Sequence, residues 1–198
     1  EKTGTGRADG STLSQGGTCR YDNIIQVDTD NEGAAEKMTT LLIGKGFRRF
    51  AFLVKDMSYN VDRKRHEGFC RALIKNGISE KDQLFYNGSI RMEFLDAIIE
   101  NIISKKVECI ICGDDEICTM VMSRLQAEGY RIPKDVAIAS LYNSTNLDCY
   151  SPAVTAVSVA ASQMGGTAVR QLIQRLRGEN YEKKTMLDYD ILFRKSTN

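Results

Sequence analysis

Apolar residues along this chain follow two alternating patterns. Short, nearly continuous apolar runs occur at NIIQV (23–27), RRFAFLV (48–54), QLFYNG (83–88), VECIICG (107–113) and VAIASLY (136–142). These read as strands, and the continuous runs FAFLV and CIIC fit burial on both faces. Between them lie segments whose apolar residues recur three and four apart, the spacing of one helical face. NEGAAEKMTTLLIGKG (31–46) carries Ala34, Met38, Leu41 and Leu42 on such a face. HEGFCRALIKNG (66–77), residues 94–103 with Leu95, Ile98, Ile99 and Ile102, and EICTMVMSRLQAEG (116–129) continue the series. Gly46, Gly77 and Gly129 supply stops. Strands alternating with helices of this length predict right-handed βαβ units, so the fold class is α/β, a parallel sheet with flanking helices. Ligands of such sheets bind outside the carboxyl ends of the strands. The loops that matter are then 55–65, 113–116 and 142–150. A last helix is predicted over Ser162–Arg177, with Met164, Ala168, Leu172, Ile173 and Leu176 inward, followed by MLDYDILF (186–193), which alternates as a strand with one exposed face.

Residues 1–22 have a different texture, rich in Gly, Ser and Thr, and read as a flexible segment or a piece cut from its structural context. Gly4, Gly6 and Gly10 miss the spacing of a dinucleotide loop and no strand precedes them. The chain has 198 residues, with 27 Lys and Arg against 26 Asp and Glu, a net charge of +1. A domain that grips phosphates needs a basic surplus, so any contact with DNA has to come from another segment. No apolar run reaches the roughly 18 residues of a membrane span, so no membrane contact is expected. The six cysteines sit mostly in apolar stretches and read as reduced, buried residues of a cytoplasmic protein. Cys109 and Cys112 form a CxxC. Residues three apart on a strand face opposite ways, and no second pair completes a ligand set, so no metal site or cofactor is expected. The single histidine, His66, reads as an exposed residue at a helix start, and no catalytic constellation can be built without it.

Five segments together resemble the effector-binding domain of the LacI/GalR regulators, which is related to the type I periplasmic sugar-binding proteins. LLIGKGFRRFAFL resembles the family's "L-I-x-x-G-H-x-x-I-A-F-L", with Phe47 in place of histidine. RKRHEGF resembles "R-x-x-G-F" through Arg65, Gly68 and Phe69. CGDDEICTMVMSRLQAEGYRIPKDVAIASLYN resembles the "N-D" to "G-F-D" stretch, YSPAVTAVSV resembles "P-x-L-T-T-V", and the closing FRKST resembles "x-R-x-S-T". The resemblance implies a periplasmic-binding-protein type I-like fold of two lobes joined by crossing strands, with the effector between them. Residues 23–198 match the effector-binding and dimerisation domain: the C-terminal lobe over about 28–150, and the closing helix and strand over 154–198. Most of the first lobe and the helix-turn-helix headpiece have no counterpart in these residues.

The implied function is a ligand sensor, not an enzyme. It binds a small effector, a sugar or related metabolite, pairs as a homodimer, and contacts operator DNA only through the headpiece. Arg65 maps to a family contact position, where a guanidinium forks two donors onto adjacent oxygens. Asp114 stands at the asparagine of "N-D". Tyr142 stands where many members carry an aspartate that grips sugar hydroxyls, with Asn143 beside it; a tyrosine offers one hydroxyl and a ring face. In the helix over 116–129, Ile117, Val121 and Leu125 form one apolar stripe while Cys118 and Met122 form another. A helix apolar on two sides needs two partners, so Cys118 and Met122 are expected at the subunit seam. Two rivals are a periplasmic-type solute receptor of a transporter and a doubly wound enzyme; the latter requires a cofactor fingerprint or catalytic set that the sequence lacks.

Overall fold

In a computed structural model, residues 13–15, 24–88 and 92–198 are described. The elements run β1 (Leu13–Gln15), β2 (Ile25–Thr29), α1 (Asn31–Gly44), β3 (Phe50–Val54), α2 (Asn60–Lys75), β4 (Leu84–Asn87), α3 (Met92–Ser104), β5 (Cys109–Cys112), α4 (Asp115–Ala127), β6 (Ala137–Ser140), α5 (Thr145–Cys149), β7 (Thr155–Val159), α6 (Ala161–Leu176), β8 (Lys184–Leu187) and β9 (Tyr189–Leu192). The fold is the expected α/β class with a mostly parallel sheet. The chain divides into two compact units, one of Asp30–Val159 with Tyr189–Asn198, the other of the segment up to Thr29 with Ala160–Asp188. Apart from β1, residues 1–22 lie outside the described residues.

The larger unit holds a six-stranded sheet in the order β4-β3-β5-β6-β7-β9, parallel except for β9. It extends beyond 28–150, because β7 and β9 join it. β3, β5 and β6 are buried along their whole length, as continuous apolar strands covered on both faces should be. Alternate residues serve the two layers. Ala51, Leu53, Ile110, Cys112 and Ile138 pack with α3 and α4. Phe50, Phe52, Val54, Cys109, Ile111 and Ala139 pack with α1 and α2. Cys109 and Cys112 thus face opposite ways, as the strand reading required.

Local signals explain the helices. Asp30 caps α1 by accepting from the amide of Gly33 at 2.9 Å. Ala34, Ala35, Met38, Leu42 and Ile43 then form its buried stripe, while Leu41 stays exposed. α2 lies against α1 so closely that a Cβ on Gly68 would stand 2.1 Å from the Glu32 carbonyl oxygen, which is why only glycine fits this position of the R-x-x-G-F segment. Glu32 and Glu36 of α1 pair with Lys64, Arg71 and Lys75 of α2 across that contact.

The structure departs from the expected elements in three places. α2 starts at Asn60, so Arg65 belongs to a helix and not to a loop; the polar run 60–65 carries no apolar periodicity to announce the helix. A short helix, α5, occupies the expected loop 142–150. MLDYDILF is two strands. β8 pairs parallel with β2 in a three-stranded sheet of the smaller unit, and β9 pairs antiparallel with β7 in the large sheet, with the break at Asp188.

In the smaller unit α6 packs on β2. Met164, Ala168 and Leu172 are half-covered, but Ile173 and Leu176, expected inward, are exposed. At 100° per residue Ile173 turns away from the 164–168–172 line.

Candidate functional site

The register of the large sheet brings three loops out side by side. Leu53 of β3 pairs with Cys112 of β5, which pairs with Ser140 of β6. The residues that follow therefore share one edge: Lys55 after β3, Gly113 and Asp114 after β5, and Tyr142 and Asn143 after β6. This is the carboxyl edge at which open parallel sheets hold ligands.

Arg65 points to that edge from the second turn of α2. Its Nη1 donates to the Gly113 carbonyl at 2.7 Å. Gly113 is confined there, since a Cβ would meet Val54 Cγ1 at 3.0 Å and the Leu53 oxygen at 3.2 Å. Asp114 has two tasks. Its Oδ1 accepts from the amide of Ile117 at 2.9 Å and caps α4. Its Oδ2 lies 3.0 Å from Lys55 Nζ. Glu116 pairs with the same ammonium. Burial works against the Lys55 charge, yet the hydrogen bonds to Glu116 and Asp114 push its pKa up to about 12. Buried Asp62 accepts from the amide of Asp56 at 3.0 Å and steadies the loop behind Lys55. Arg65 and Asp114 are thus brought together around Gly113, within a cluster of two cations and two carboxylates.

Tyr142 and Asn143 lie on the neighbouring loop. Ser140 Oγ donates to the Tyr142 carbonyl at 2.6 Å, and the Tyr142 side chain is exposed. Asn143 Oδ1 accepts from Arg194 Nη1 at 3.0 Å, so this pair is tied to the closing segment. The cluster as a whole presents charged groups already hydrogen-bonded to each other and one free aromatic face. It suits a hydroxyl-bearing ligand better than a bare anion.

Three residues of this edge were missed by the sequence reading: Lys55, Glu116 and Arg194. Lys55 was findable as the first residue beyond a buried strand, and Arg194 as the arginine of the closing RKST.

Two expectations are corrected. Cys118 and Met122 are fully buried within a single chain, in the same cluster as Ile117, Val121 and Leu125. The chain's own β-strands, Leu147 of α5 and Val154 cover both stripes, so neither residue lies at a subunit seam. His66 is half-buried, not solvated. Its ring lies 4.2 Å from that of Phe85 and 5.8 Å from that of Phe52, and burial lowers its pKa against the opposing pull of Glu80 and Glu67. Its Nε2 is 3.5 Å from Cys70 Sγ, whose own pKa burial and Glu80 raise to about 11. A thiol held protonated is a poor nucleophile.

Among the described residues, no group of three or more His, Cys, Asp or Glu is placed to hold a metal ion, and no helix is long and apolar enough to cross a membrane.

The sequence pattern of the periplasmic binding protein-like domain matches residues 39–197. The HTH-type transcriptional regulator CelR of Thermobifida fusca is 26% identical over 178 residues, covering 88% of this chain and 52% of that protein. The HTH-type transcriptional repressor PurR of Erwinia tasmaniensis is 26% identical over 153 residues, 76% of this chain and 45% of that protein. The chain spans about half the length of these curated relatives. Among solved structures, the transcription regulator CcpA of Lactococcus lactis superposes with a TM-score of 0.85 at 24% identity, covering 94% of this chain and 69% of that one. The CelR–cellobiose complex superposes at 0.80 with 25% identity, covering 93% and 58%.

Proposed function

We propose a function that proceeds from family membership: the chain belongs to the periplasmic binding protein-like domain family. It is the effector-sensing domain of a LacI/GalR-type transcription regulator. It binds a small metabolite at the edge formed by Arg65, Asp114, Tyr142 and Asn143, and it catalyses no reaction. One observation carries the reading: from α2, Arg65 reaches the Gly113 carbonyl, next to Asp114, at the carboxyl edge of the sheet, with the loop of Tyr142 beside them. The relatives are transcription regulators, which favours this over a transporter's solute receptor. The regulator works in the cytoplasm as a homodimer, touches operator DNA through a separate headpiece, and pairs through a surface other than the buried Cys118 and Met122. An open groove between α4 and α5, about 470 Å³ and lined by Thr119, Gln126 and Tyr150, is one face that α4 leaves available. Effector binding then shifts operator affinity as a linked equilibrium.

The test uses the full-length parent protein. Selection from random DNA should return a preferred sequence, and a metabolite screen beginning with cellobiose, the ligand of the CelR complex, should find a compound that changes its occupancy. Arg65→Ala removes charge-assisted bonds of about 1.5–3 kcal/mol each, so calorimetry should show affinity for that compound falling about tenfold to a hundredfold. A parent protein that selects no DNA sequence would overturn the regulator. An Arg65→Ala variant that binds the compound like wild type would remove this edge as its site.

A further inference from the structure

The loop after β6 carries Tyr142 and Asn143 but has few ties of its own. It runs into α5, only five residues long, and so short a helix does not hold itself together by its own hydrogen bonds. Ser144 stands at its N-cap without capping it, and the buried Ser144 hydroxyl has no hydrogen-bond partner. Leu147 anchors the segment in the core, its carbonyl accepts from the Val154 amide at 3.1 Å, and Ser140 Oγ holds the Tyr142 backbone; the side chain that reaches both Asn143 and Asp148 comes from far along the chain.

Arg194 supplies it. Its Nη1 donates to Asn143 Oδ1 at 3.0 Å and to the Val154 carbonyl, and its Nη2 pairs with the Asp148 carboxylate. One guanidinium thus holds the loop after β6, the end of α5 and the entry to β7. The arginine is itself fixed. Its amide donates to Thr155 Oγ1 at 2.9 Å. Two residues on, Ser196 Oγ donates to the Ile138 carbonyl at 2.6 Å and accepts from the Thr155 amide at 2.8 Å. The Arg194 side chain is 15% exposed, against 49% for Asp148, so the anchor is better shielded than the carboxylate it holds. A planar guanidinium presents five donors in a fixed fork and can serve three acceptors from three directions, whereas an ammonium on a flexible stem is a single point charge.

We propose that Arg194 is a positioning residue of the candidate effector site: it fixes the 142–149 loop and, through Asn143, the place of Tyr142, without touching the ligand. The consequence for binding rests on the effector reading above; the pinning itself is a property of the unliganded chain.

Hydrogen–deuterium exchange on the 198-residue chain tests it without ligand. In Arg194→Met, the amides of 143–149 should exchange about tenfold faster or more, while α1 and α2 keep wild-type rates, because local opening and global unfolding are separable by exchange. Arg194→Lys keeps a charge near Asp148 but loses the fork, and should fall between the two. An unchanged loop overturns the proposal. So does a rise spread evenly over the strands of the sheet, the signature of a residue that only supports the fold. Should Arg194→Met fail to fold, the double variant Asn143→Leu with Asp148→Ala removes the loop's side-chain acceptors and leaves the backbone ties of Arg194 in place. The same loop-confined rise is expected there, and its absence overturns the pinning. A loosened loop in a protein for which the metabolite screen finds no ligand would sink the effector reading alone.

Discussion

α4 and α6 carry similar apolar stripes and meet opposite fates. In α4, Ile117, Cys118, Val121, Met122 and Leu125 are all buried, the first two on different sides of the helix. In α6 no residue is buried, and Val169, Ile173 and Leu176 stand exposed at positions i, i+4 and i+7. The difference is one of cover. α4 lies in the unit with the six-stranded sheet, where α5, Val154 and Tyr150 close over the side that the strands leave open. α6 lies in the unit whose sheet has three strands, and in its N-terminal half Gly165 and Gly166 face open space. An amphipathic pattern therefore states which residues are available for burial; the layers around the helix decide how many are buried.

Substitutions on the two helices should sharpen that contrast. The largest effect is expected of Met122→Glu. A carboxylate in the α4 core has no partner among Ile110, Ile138 and Leu147, and the cost should exceed about 4 kcal/mol. That is a large part of the roughly 5–15 kcal/mol that holds a domain, so the variant should be largely unfolded by circular dichroism in the absence of denaturant. A variant that stays folded with a near-normal urea midpoint, but loses self-association, would return Met122 to a subunit seam.

An intermediate effect belongs to His66, packed among Phe52 and Phe85 on the other layer of the same unit. Burial holds its pKa below the ordinary 6.5, so the unfolded chain binds the proton more readily than the folded one. Its contribution is fully present above pH 6.5 and is lost as pH falls through the lowered folded value. The urea midpoint should drop between pH 7.5 and 5.5 in wild type and drop less in His66→Phe. As this is the only histidine in the chain, equal drops in the two proteins would exclude it as the cause.

The smallest effect is expected on α6. Ile173→Ser gives up an exposed apolar side chain and should alter the unfolding free energy by no more than about 0.5 kcal/mol. A loss comparable to a core truncation would mean that α6 is covered after all, and would erase the contrast with α4.

Much of the large unit was legible because its strands are so evenly apolar. FAFLV and CIIC have no hydrophilic side, and a strand of that kind belongs in the middle of a parallel sheet. What escaped has a physical reason in each case. The start of α2 is built from Asn60 to Arg65, whose polar side chains show no period. The alternation in MLDYDILF records a strand but not its partner, so the change of sheet at Asp188 leaves no trace. Cys118 and Met122 announced an apolar face correctly, but nothing local says that Leu147 and Val154, later in the chain, come back to cover it. The candidate site divides the same way. Arg65, Asp114 and Tyr142 could be placed by the resemblance and by strand ends. The Lys55 pairing and the reach of Arg194 are contacts between distant residues, which a pattern along the chain does not record.

The position of β9 bears on how the molecule assembles. Between β7 and β9 the chain leaves to form α6 and β8, and only then returns to complete the large sheet. The bonds that close it join residues far apart: Thr155 to Ser196, 41 residues along, and Ile138 to Ser196, 58 along. Such contacts confer nothing until a long intervening segment has been gathered in, and ln kf falls as contacts of this kind come to dominate a fold. The parallel core from β3 to β6 joins neighbouring βαβ units, whereas the β9 edge and the contacts of Ser196 and Thr197 require that long intervening segment to be gathered in first.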